Sequence, residues 1–266
     1  DGDVKFHPDS LAEAISWMKR ENIDFMSLLE EPEYGNPLEA AYLLLFGLFL
    51  IFFAARPWSL RKKNGRNFMG NGAFLLATRD AYEKSQGHKT LRLEVVEDMR
   101  MGLLMRSLDL RCAAAVGLDR VRRRWQPGFM AVFKGLIKNA FAGFEYNVPK
   151  AVIGILCFPF VVIGPWLCVL GGYPLIGGIN LALLIAGFYL AGKKARLPWL
   201  TSFLLSPFTA LTASTNLAYS AFKTLKDGGV TWRSTVYPLA ELKAHCFTMR
   251  KAYGGRADEN LSAART

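Results

Sequence analysis

The sequence predicts an α/β domain followed by membrane-embedded α-helices, and two observations carry this fold class. The first half of the chain alternates short strand-like and helix-like segments, whereas the second half contains long apolar runs. Of the 266 residues, 52% are hydrophobic and only 21% are charged, which is too apolar for an ordinary soluble domain. We therefore predict three regions, residues 1–125, 126–148 and 149–266.

The net charge and the cysteines limit the partners and the compartment. The formal charge is +11, and because the basic residues lie beside apolar runs, they favour a membrane surface. The sequence lacks a groove-reading or base-stacking motif, so we expect no nucleic-acid partner. Four cysteines without a CxxC pair support neither a zinc site nor a disulfide framework. The sequence opens without Met or a signal peptide, so we expect a fragment of a longer protein.

The first segment carries two carboxylates and a helix. Asp1 and Asp3 flank a glycine, so both can reach one divalent cation, although a polar turn explains the same pattern. Ser10 and Glu13 have the spacing of a capping box at the start of a helix that ends near Arg20. Residues 23–29 then resemble a strand.

The next segment begins with an apolar run at residues 38–55. Its length allows it to cross a bilayer, to lie in the bilayer surface or to be a buried helix. Residues 69–79 predict a glycine-bearing turn into a strand, in which Gly72 permits close approach of a ligand or simply forms a turn. A helix follows from Arg79, and His88 then lies in a polar loop, where it contacts substrate or only solvent.

The segment 91–109 contains an acidic pair, Glu97 and Asp98, in the first turn of a predicted helix. Adjacent helical residues point in different directions, so one carboxylate can enter a cleft as a general base while the other meets solvent. The alternative is that the pair only complements the helix dipole.

A basic cluster follows a short predicted strand at residues 110–116. Its four arginines surround a tryptophan and are able to bind a diphosphate in bidentate fashion. They are equally suited to anionic lipid headgroups, with the tryptophan at the interface. The cluster comprises Arg120, Arg122, Arg123, Arg124 and Trp125.

The last part of the chain is dominated by apolar helices. Residues 129–144 form an amphipathic pattern typical of an interfacial helix, with core packing as the alternative. Residues 151–170 and 175–192 are predicted membrane spans with basic, cytoplasmic flanks. Residues 197–222 are interrupted by prolines and polar residues, and because both flanks are basic, we expect a re-entrant or interfacial hairpin.

The order of these motifs resembles the membrane-bound family 2 glycosyltransferases, which have a GT-A fold. The most similar members are the non-processive hopanoid- and carotenoid-associated enzymes and, more distantly, ceramide glucosyltransferase. The resemblance covers the chain to about residue 243 and rests on DGDVKF, GNGAFLLATRDAYEKSQGH, EVVEDMRMG, RVRRRW, KGLIKNAF and WRSTVY.

The resemblance implies a role for each motif. Asp1 and Asp3 match the pair that holds Mg²⁺ or Mn²⁺ on a nucleotide-sugar donor, here a UDP-sugar. Asp98 matches the base that deprotonates the acceptor hydroxyl, and Glu97 accompanies it. The remaining matches lie on the donor and acceptor side: Gly72, Ala73, His88, Arg124, Trp125, Trp232, Arg233 and Tyr237.

Two departures from the family pattern shape the prediction. The processive enzymes carry QxxRW, but here the position four before Trp125 is Val121, which argues against a polymerase. The family also carries a nucleotide-binding half ahead of the DxD motif. We therefore predict the C-terminal half of a GT-A domain, then interfacial amphipathic helices and membrane helices, and we expect this half to be inactive by itself.

The predicted function is metal-assisted, inverting and non-processive transfer of a sugar to a lipid-like acceptor. Because Asp3 and Asp98 must meet at one substrate, residues 38–55 are not expected to cross the membrane, and the acceptor is expected between them and residues 129–144. We place the catalytic part on the cytoplasmic side of a multi-pass protein of a bacterial inner membrane.

The alternative function is that of a non-catalytic membrane anchor or partner subunit. A transporter is disfavoured because the two spans offer only Asn180 and a few aromatic polar groups.

Overall fold

The fold is a small α/β layer joined to a group of apolar helices. A computed structural model describes residues 2–51, 60, 65–232 and 235–254. The predictions for Asp1, Arg233 and the tail beyond residue 254 lie outside this described part. The first half contributes β1 (Val4–Phe6), α1 (Ser10–Arg20), β2 (Phe25–Pro32), α2 (Pro37–Phe49), β3 (Leu75–Ala77), α3 (Arg79–Ser85), α4 (Gly87–Thr90), α5 (Glu97–Ser107) and β4 (Cys112–Arg123).

The second half is mainly helical. It includes a two-stranded antiparallel hairpin that packs beside the helices and is followed by one more short helix. Its elements are α6 (Phe129–Gly143), α7 (Val148–Leu170), α8 (Pro174–Ala195), α9 (Trp199–Leu204), α10 (Ser206–Lys226), β5 (Gly229–Trp232), β6 (Thr235–Pro238) and α11 (Leu239–His245).

The order of strands in the main sheet is β1-β4-β2-β3. Strands β2 and β4 are parallel, whereas β1 is antiparallel to β4 and β3 is antiparallel to β2. The start of β1, the carboxyl ends of β4 and β2, and the start of β3 therefore share one end of the sheet, which we call the functional end.

The two faces of the sheet are covered by different helices. On one face, Ala14 and Met18 of α1 pack with Met26 and Val121. On the other face, Leu104 and Met105 of α5 belong to a cluster with Phe25. Burial of these apolar side chains removes them from water, and it holds the first turn of α5 beside the functional end.

Three expectations about local structure need correction. Ser10 does not cap α1, because Asp9 is the N-cap residue without a side-chain cap bond, and the Ser10 hydroxyl donates to the Arg120 carbonyl oxygen at 2.6 Å. Strand β4 extends beyond the predicted residues 110–116 into the basic cluster, because its last residues pair with β1. His88 lies in the short helix α4 and not in a loop.

Helix α2 covers the first part of the apolar run 38–55 and is packed against other helices; residues 52–55 of that run lie outside the described part. Ala40, Leu44 and Leu48 lie in one buried cluster with residues of α7, α8 and α10. Tyr42 of α2 contacts the cluster of Val132 and Leu136 in α6. A small cavity of about 10 Å³ beside Tyr42 is lined by residues of α2, by Phe158 of α7 and by Ala213 of α10. No residue of α6 lines it, so the predicted acceptor path between α2 and α6 stays a prediction.

Helices α7 and α8 are long and apolar enough to cross a membrane. Buried residues make up 11% and 17% of their most apolar windows, so the larger part of each surface is uncovered within the described structure. Helix α6, predicted as amphipathic, buries Val132, Leu136 and Phe141. It therefore packs by its apolar stripe, which was the alternative to an interfacial helix.

An ion pair fastens the start of β2 to the start of β4. Asp24 accepts two hydrogen bonds from the Arg111 guanidinium, at 2.9 and 2.6 Å, and one from the Arg111 backbone N–H at 2.8 Å. The side-chain hydrogen bond from Arg111 lowers the pKa of Asp24 below its ordinary 3.8, against the opposing effect of burial. The ionised carboxylate thus stabilises the fold at pH values above 3.8, the ordinary pKa. This contribution is lost as the pH falls through the lower pKa that Asp24 has in the folded protein.

The substitution Asp24→Asn should lower the unfolding free energy by about 1 to 2 kcal/mol at pH 7, because it weakens the charged hydrogen bonds to Arg111 at a partly buried position. Urea unfolding in detergent at pH 7 and pH 3 measures this loss. The deficit should shrink at pH 3, where the native carboxyl also begins to protonate. Asp80→Asn at an exposed position in α3 is the matched control, and an equal deficit in both variants would contradict the role of Asp24.

Candidate functional site

The loop of residues 69–72 lies directly on the first turns of α5. A Cβ atom on Gly70 would lie 1.7 Å from the Asp98 carbonyl oxygen, and one on Gly102 would lie 2.2 Å from the Met69 carbonyl oxygen. Only glycine permits such contact between two backbones. The close approach fixes the position of the loop relative to the acidic pair.

Asp98 holds this loop through its carboxylate. Its Oδ2 accepts a hydrogen bond from the Gly72 backbone N–H at 2.9 Å, and its Oδ1 accepts one from the Met99 backbone N–H at 2.7 Å. A carboxylate offers about four acceptor positions, so the two oxygens can still accept a proton or a substrate hydroxyl group. The side chain is half-buried, which is compatible with such access.

A second acidic residue holds the same loop from the sheet. Glu30, near the end of β2, accepts a hydrogen bond of 2.5 Å from the Asn71 side-chain amide. The Asn71 side-chain oxygen in turn accepts the Ala73 backbone N–H at 3.0 Å. The loop therefore lies between Glu30 and Asp98, and the predicted pair Gly72 and Ala73 is held in place by carboxylates on both sides.

Glu97 is more exposed than Asp98, and its pKa is raised. Desolvation by the surrounding protein is the largest cause that raises the pKa of Glu97, and repulsion from Asp98 adds to it. Lys138 and His88 act in the opposite direction on this pKa. A carboxyl group with a raised pKa retains its proton to higher pH and is a stronger base once ionised.

The β5–β6 hairpin brings an aromatic residue towards this acidic pair. The Lys138 ammonium group lies 4.6 Å from the centre of the Trp232 ring, and this lysine also acts on Glu97. Tyr237 on β6 packs beside α6. Lys138 thus contacts the predicted residue Trp232 and also acts electrostatically on Glu97.

His88 is exposed and is bound locally. Its Nδ1 atom lies 2.7 Å from the Tyr82 hydroxyl group. The two rings lie 5.8 Å apart between centroids. This contact orients the imidazole at the edge of the site, where its charge acts on Glu97.

Asp3 lies at the functional end of the sheet, where it meets a cation from β4. Its Oδ2 accepts a hydrogen bond of 2.9 Å from Arg123 Nε. Asp3 and Gly72 flank β1 and β3, the two opposite edge strands of the sheet.

Asp3 is the member of the predicted metal pair that the structure describes. Within the described part of the chain, no group of three or more His, Cys, Asp or Glu side chains could hold an ion. The Arg123 guanidinium also opposes a cation next to Asp3. The metal role of Asp1 and Asp3 stays a prediction, since Asp1 is outside the described part, and no reaction step is routed through a metal below.

The four arginines of the basic cluster all have acidic neighbours. Arg120 pairs with Glu13, Arg122 with Glu31, and Arg123 with Asp3. Each guanidinium is therefore at least partly neutralised in this structure. A diphosphate or a lipid headgroup would have to compete with these carboxylates.

Arg124 belongs to a polar junction that the sequence did not reveal. Its Nη2 lies 3.6 Å from the Glu39 carboxylate, which is 1% exposed as a side chain. The same Glu39 oxygen accepts the backbone N–H groups of Gly35 and Gly128, each at 3.1 Å. Trp125 packs beside Tyr42 in the adjoining apolar cluster. The junction thus connects the functional end of the sheet to α2 and α6.

The structure brings Asp98, Gly72 and Ala73 together in one unit. Trp232 contacts Lys138, which also acts on Glu97. Asp3 and Arg124 lie at the same end of the sheet, where they pair with Arg123 and Glu39. Sequence reasoning missed Glu30, Glu39, Asn71 and Lys138, because each gains its partner from a distant segment. A signal existed only for Lys138, within the KGLIKNAF motif.

No protein-family model matches this chain, and no curated protein or solved structure is significantly similar to it. The resemblance to glycosyltransferases therefore rests on the sequence motifs alone.

The glycine contact below the site should tolerate no side chain. Gly102→Ala should cost about 1 to 3 kcal/mol of unfolding free energy, because the new Cβ atom overlaps with the Met69 carbonyl group in a packed region. Gly47→Ala in α2 is the matched control, since its Cβ atom would meet nothing within 4 Å. The control should be neutral or slightly stabilising in the same denaturant titration. Equal stabilities of the two variants would refute the tight loop contact.

Proposed function

We propose that the protein transfers a sugar from a nucleotide-sugar donor to a lipid-like acceptor at a membrane surface. The single observation that carries this proposal is the contact between the functional end of the sheet and the apolar helices. Trp125, at the end of β4, packs with Tyr42 of α2 and Val132 of α6. Val95 and Val96, just before the acidic pair, pack against the cluster shared by α6, α7 and α10.

This arrangement suits a reaction between a soluble donor and an apolar acceptor. Polar and charged groups gather at the sheet end, and two helices long enough to cross a membrane adjoin it. A lipid alcohol anchored among the helices would present its hydroxyl group towards Asp98. Because the lipid acceptor would already be held in the membrane next to the site, it would meet the donor without diffusing through the whole solution.

The chemistry assigned to the chain is general base catalysis. Asp98 accepts the proton of the acceptor hydroxyl while that oxygen bonds to the anomeric carbon and the bond to the nucleoside diphosphate breaks. The anomeric configuration inverts, because the acceptor attacks opposite the leaving group. Gly72 orients Asp98 through its backbone N–H, and Arg124 or Lys138 supplies positive charge for the departing diphosphate.

A transfer assay tests the proposal. The full natural polypeptide that contains this chain is reconstituted in liposomes with bacterial lipid extract and incubated with radiolabelled UDP-glucose, UDP-galactose or UDP-N-acetylglucosamine. We expect label in the organic phase with one donor and none with boiled protein. Absence of lipid-linked label with all three donors, from a folded protein, would count against a UDP-hexose transferase.

One observation favours a second function, that of a non-catalytic anchor or partner subunit. Asp3, the described member of the predicted metal pair, is already paired with Arg123, and the remaining arginines also have acidic partners. In a structural protein these pairs would simply hold β4. Co-purification of an active transferase that loses its membrane attachment without this chain would support this alternative.

A further inference from the structure

Helix α10 has large apolar residues on its exposed side and polar residues on its buried side. Its exposed side carries large apolar residues, with Phe208, Leu211 and Phe222 at least half exposed. These positions, together with Tyr219, follow helical spacing and therefore form one stripe. The helix of a water-soluble protein would direct such a stripe into the core. We call the stripe of Phe208, Leu211, Tyr219 and Phe222 the outer face of α10.

The buried side of α10 is polar, and each of three side chains there bonds to a neighbouring helix. The Ser214 hydroxyl donates to the Ile155 carbonyl oxygen of α7 at 2.8 Å. The Asn216 amide donates to the Phe133 carbonyl oxygen of α6 at 2.6 Å. The Ser220 hydroxyl donates to the Ile137 carbonyl oxygen at 2.5 Å. Small polar residues that connect helices in this manner are typical of packing within membranes.

The threonines on the outer side satisfy their own hydroxyl groups. Thr212 donates to the Phe208 carbonyl oxygen at 2.8 Å, and Thr215 donates to the Leu211 carbonyl oxygen at 2.9 Å. Asn180 of α8 does the same with the Ile176 carbonyl oxygen at 2.8 Å. In a hydrocarbon solvent an unpaired donor is costly, so bonding within the helix is the arrangement that lipid requires.

The contacts of α9 and α10 show which parts of the candidate spans α7 and α8 they lie beside. Phe203 of α9 is 6.1 Å from Trp166 of α7 and 5.9 Å from Phe188 of α8, between ring centroids. Ala210 shares a buried cluster with Val162, whereas Leu217 packs with Ala151. Helix α10 therefore begins beside the interior of α7 and runs back towards the start of α7.

Both ends of the α9–α10 segment return to the α/β layer. Arg196, just before α9, bonds to Asp119 of β4 at 2.5 and 2.7 Å. After α10 the chain enters β5, and Val230 of this strand belongs to the buried cluster against which Val95 and Val96, just before α5, also pack. Because the segment enters and leaves on one side, it has the topology of a hairpin.

We propose that α9 and α10 form a re-entrant hairpin in the bilayer, with the outer face of α10 in contact with lipid acyl chains. Helix α10 packs along α7, and the apolar surface of α7 is itself largely uncovered, which is why lipid is assigned as the occupant of the outer face. Lys223 and Lys226 lie at the end of α10, where headgroups would meet them. This inference does not depend on the proposed transferase activity.

Site-directed spin labelling tests the hairpin. Single cysteines replace Leu204, Leu211 and Phe222 in a full-length variant whose native cysteines are replaced and whose circular dichroism matches the parent. The labelled proteins are placed in phosphatidylcholine–phosphatidylglycerol vesicles. Leu11 in α1 is the matched control, since it is a leucine that is 53% exposed in the α/β layer.

The ratio of accessibility to oxygen over accessibility to a water-soluble nickel chelate reports depth. We expect this ratio to be several-fold higher at Leu204 and Leu211 than at Leu11, and to fall from Leu204 to Phe222. Ratios equal to that of Leu11 would overturn lipid contact. Low accessibility to both reagents would assign the face to a second copy or another protein. If the label at Leu204 were accessible to the nickel chelate only from the opposite side of the vesicle, the segment would be a full span and not a hairpin.

Discussion

Asp98→Asn should reduce sugar transfer by about 10²- to 10⁴-fold, which is the usual contribution of a positioned general base. The substituted amide cannot accept the hydroxyl proton. The loss should appear in kcat, because Asp98 acts on the acceptor and is separated from Asp3 and Arg124. The measurement is the rate of lipid-linked label formation at saturating donor and acceptor. Unchanged turnover would remove Asp98 from the mechanism.

A matched variant separates chemistry from structure at this site. Asp98 also holds Gly72, so its amide variant weakens the loop in addition to losing the base. Glu97→Gln makes the same change of charge one residue away, at an exposed position, and should cause a much smaller loss. Thermal unfolding of Glu97→Gln should resemble the parent, whereas the weakened loop should slightly lower the unfolding temperature of Asp98→Asn. If Glu97→Gln caused the larger loss of kcat, the base would be Glu97.

Arg100→Met should cost about 3 to 5 kcal/mol of unfolding free energy, since it removes one partner of a buried ionic network. The Arg100 side chain is 4% exposed and lies 3.7 Å from both Glu94 and Glu145. Those carboxylates also accept backbone N–H groups of the C-terminal segment, from Phe247 and Met249. Loss of the arginine leaves two buried acids without their shared cation.

The pH dependence of the Arg100→Met deficit follows from Glu94. Burial raises the pKa of Glu94 above its ordinary 4.5, whereas Arg100 lowers it. Without Arg100 the folded pKa rises further, so the native state binds its proton more tightly than the unfolded state does. The stability deficit should therefore grow as the pH rises above 4.5 and shrink in acid. Chemical unfolding in detergent at several pH values measures this trend.

Two controls make the Arg100 result specific. Arg79→Met breaks an exposed pair with Glu83 within α3, where the arginine is 88% exposed, and should cost no more than about 0.5 kcal/mol. Adding Glu94→Gln to Arg100→Met should recover part of the loss, because one buried charge disappears. A double variant no more stable than Arg100→Met would contradict the ionic explanation.

Local spacing by itself determined the type of most elements. Apolar residues at helical intervals predicted α1 and α6, and two long apolar runs predicted α7 and α8; the structure has all four helices. The acidic pair also falls in the first turn of α5, as predicted. Such features depend on neighbours within a few residues, which the sequence displays directly.

Only the tertiary structure decided which polar groups meet. The charged end of β4 did not resemble a strand, yet Arg120 and Arg123 find partners in α1 and beside β1. Glu39, within an apolar run, is buried because Gly35 and Gly128 donate to it. The buried polar side of α10 likewise depends on carbonyl groups of α6 and α7. These partners are distant along the chain, and periodicity reports which face is apolar but not what covers it.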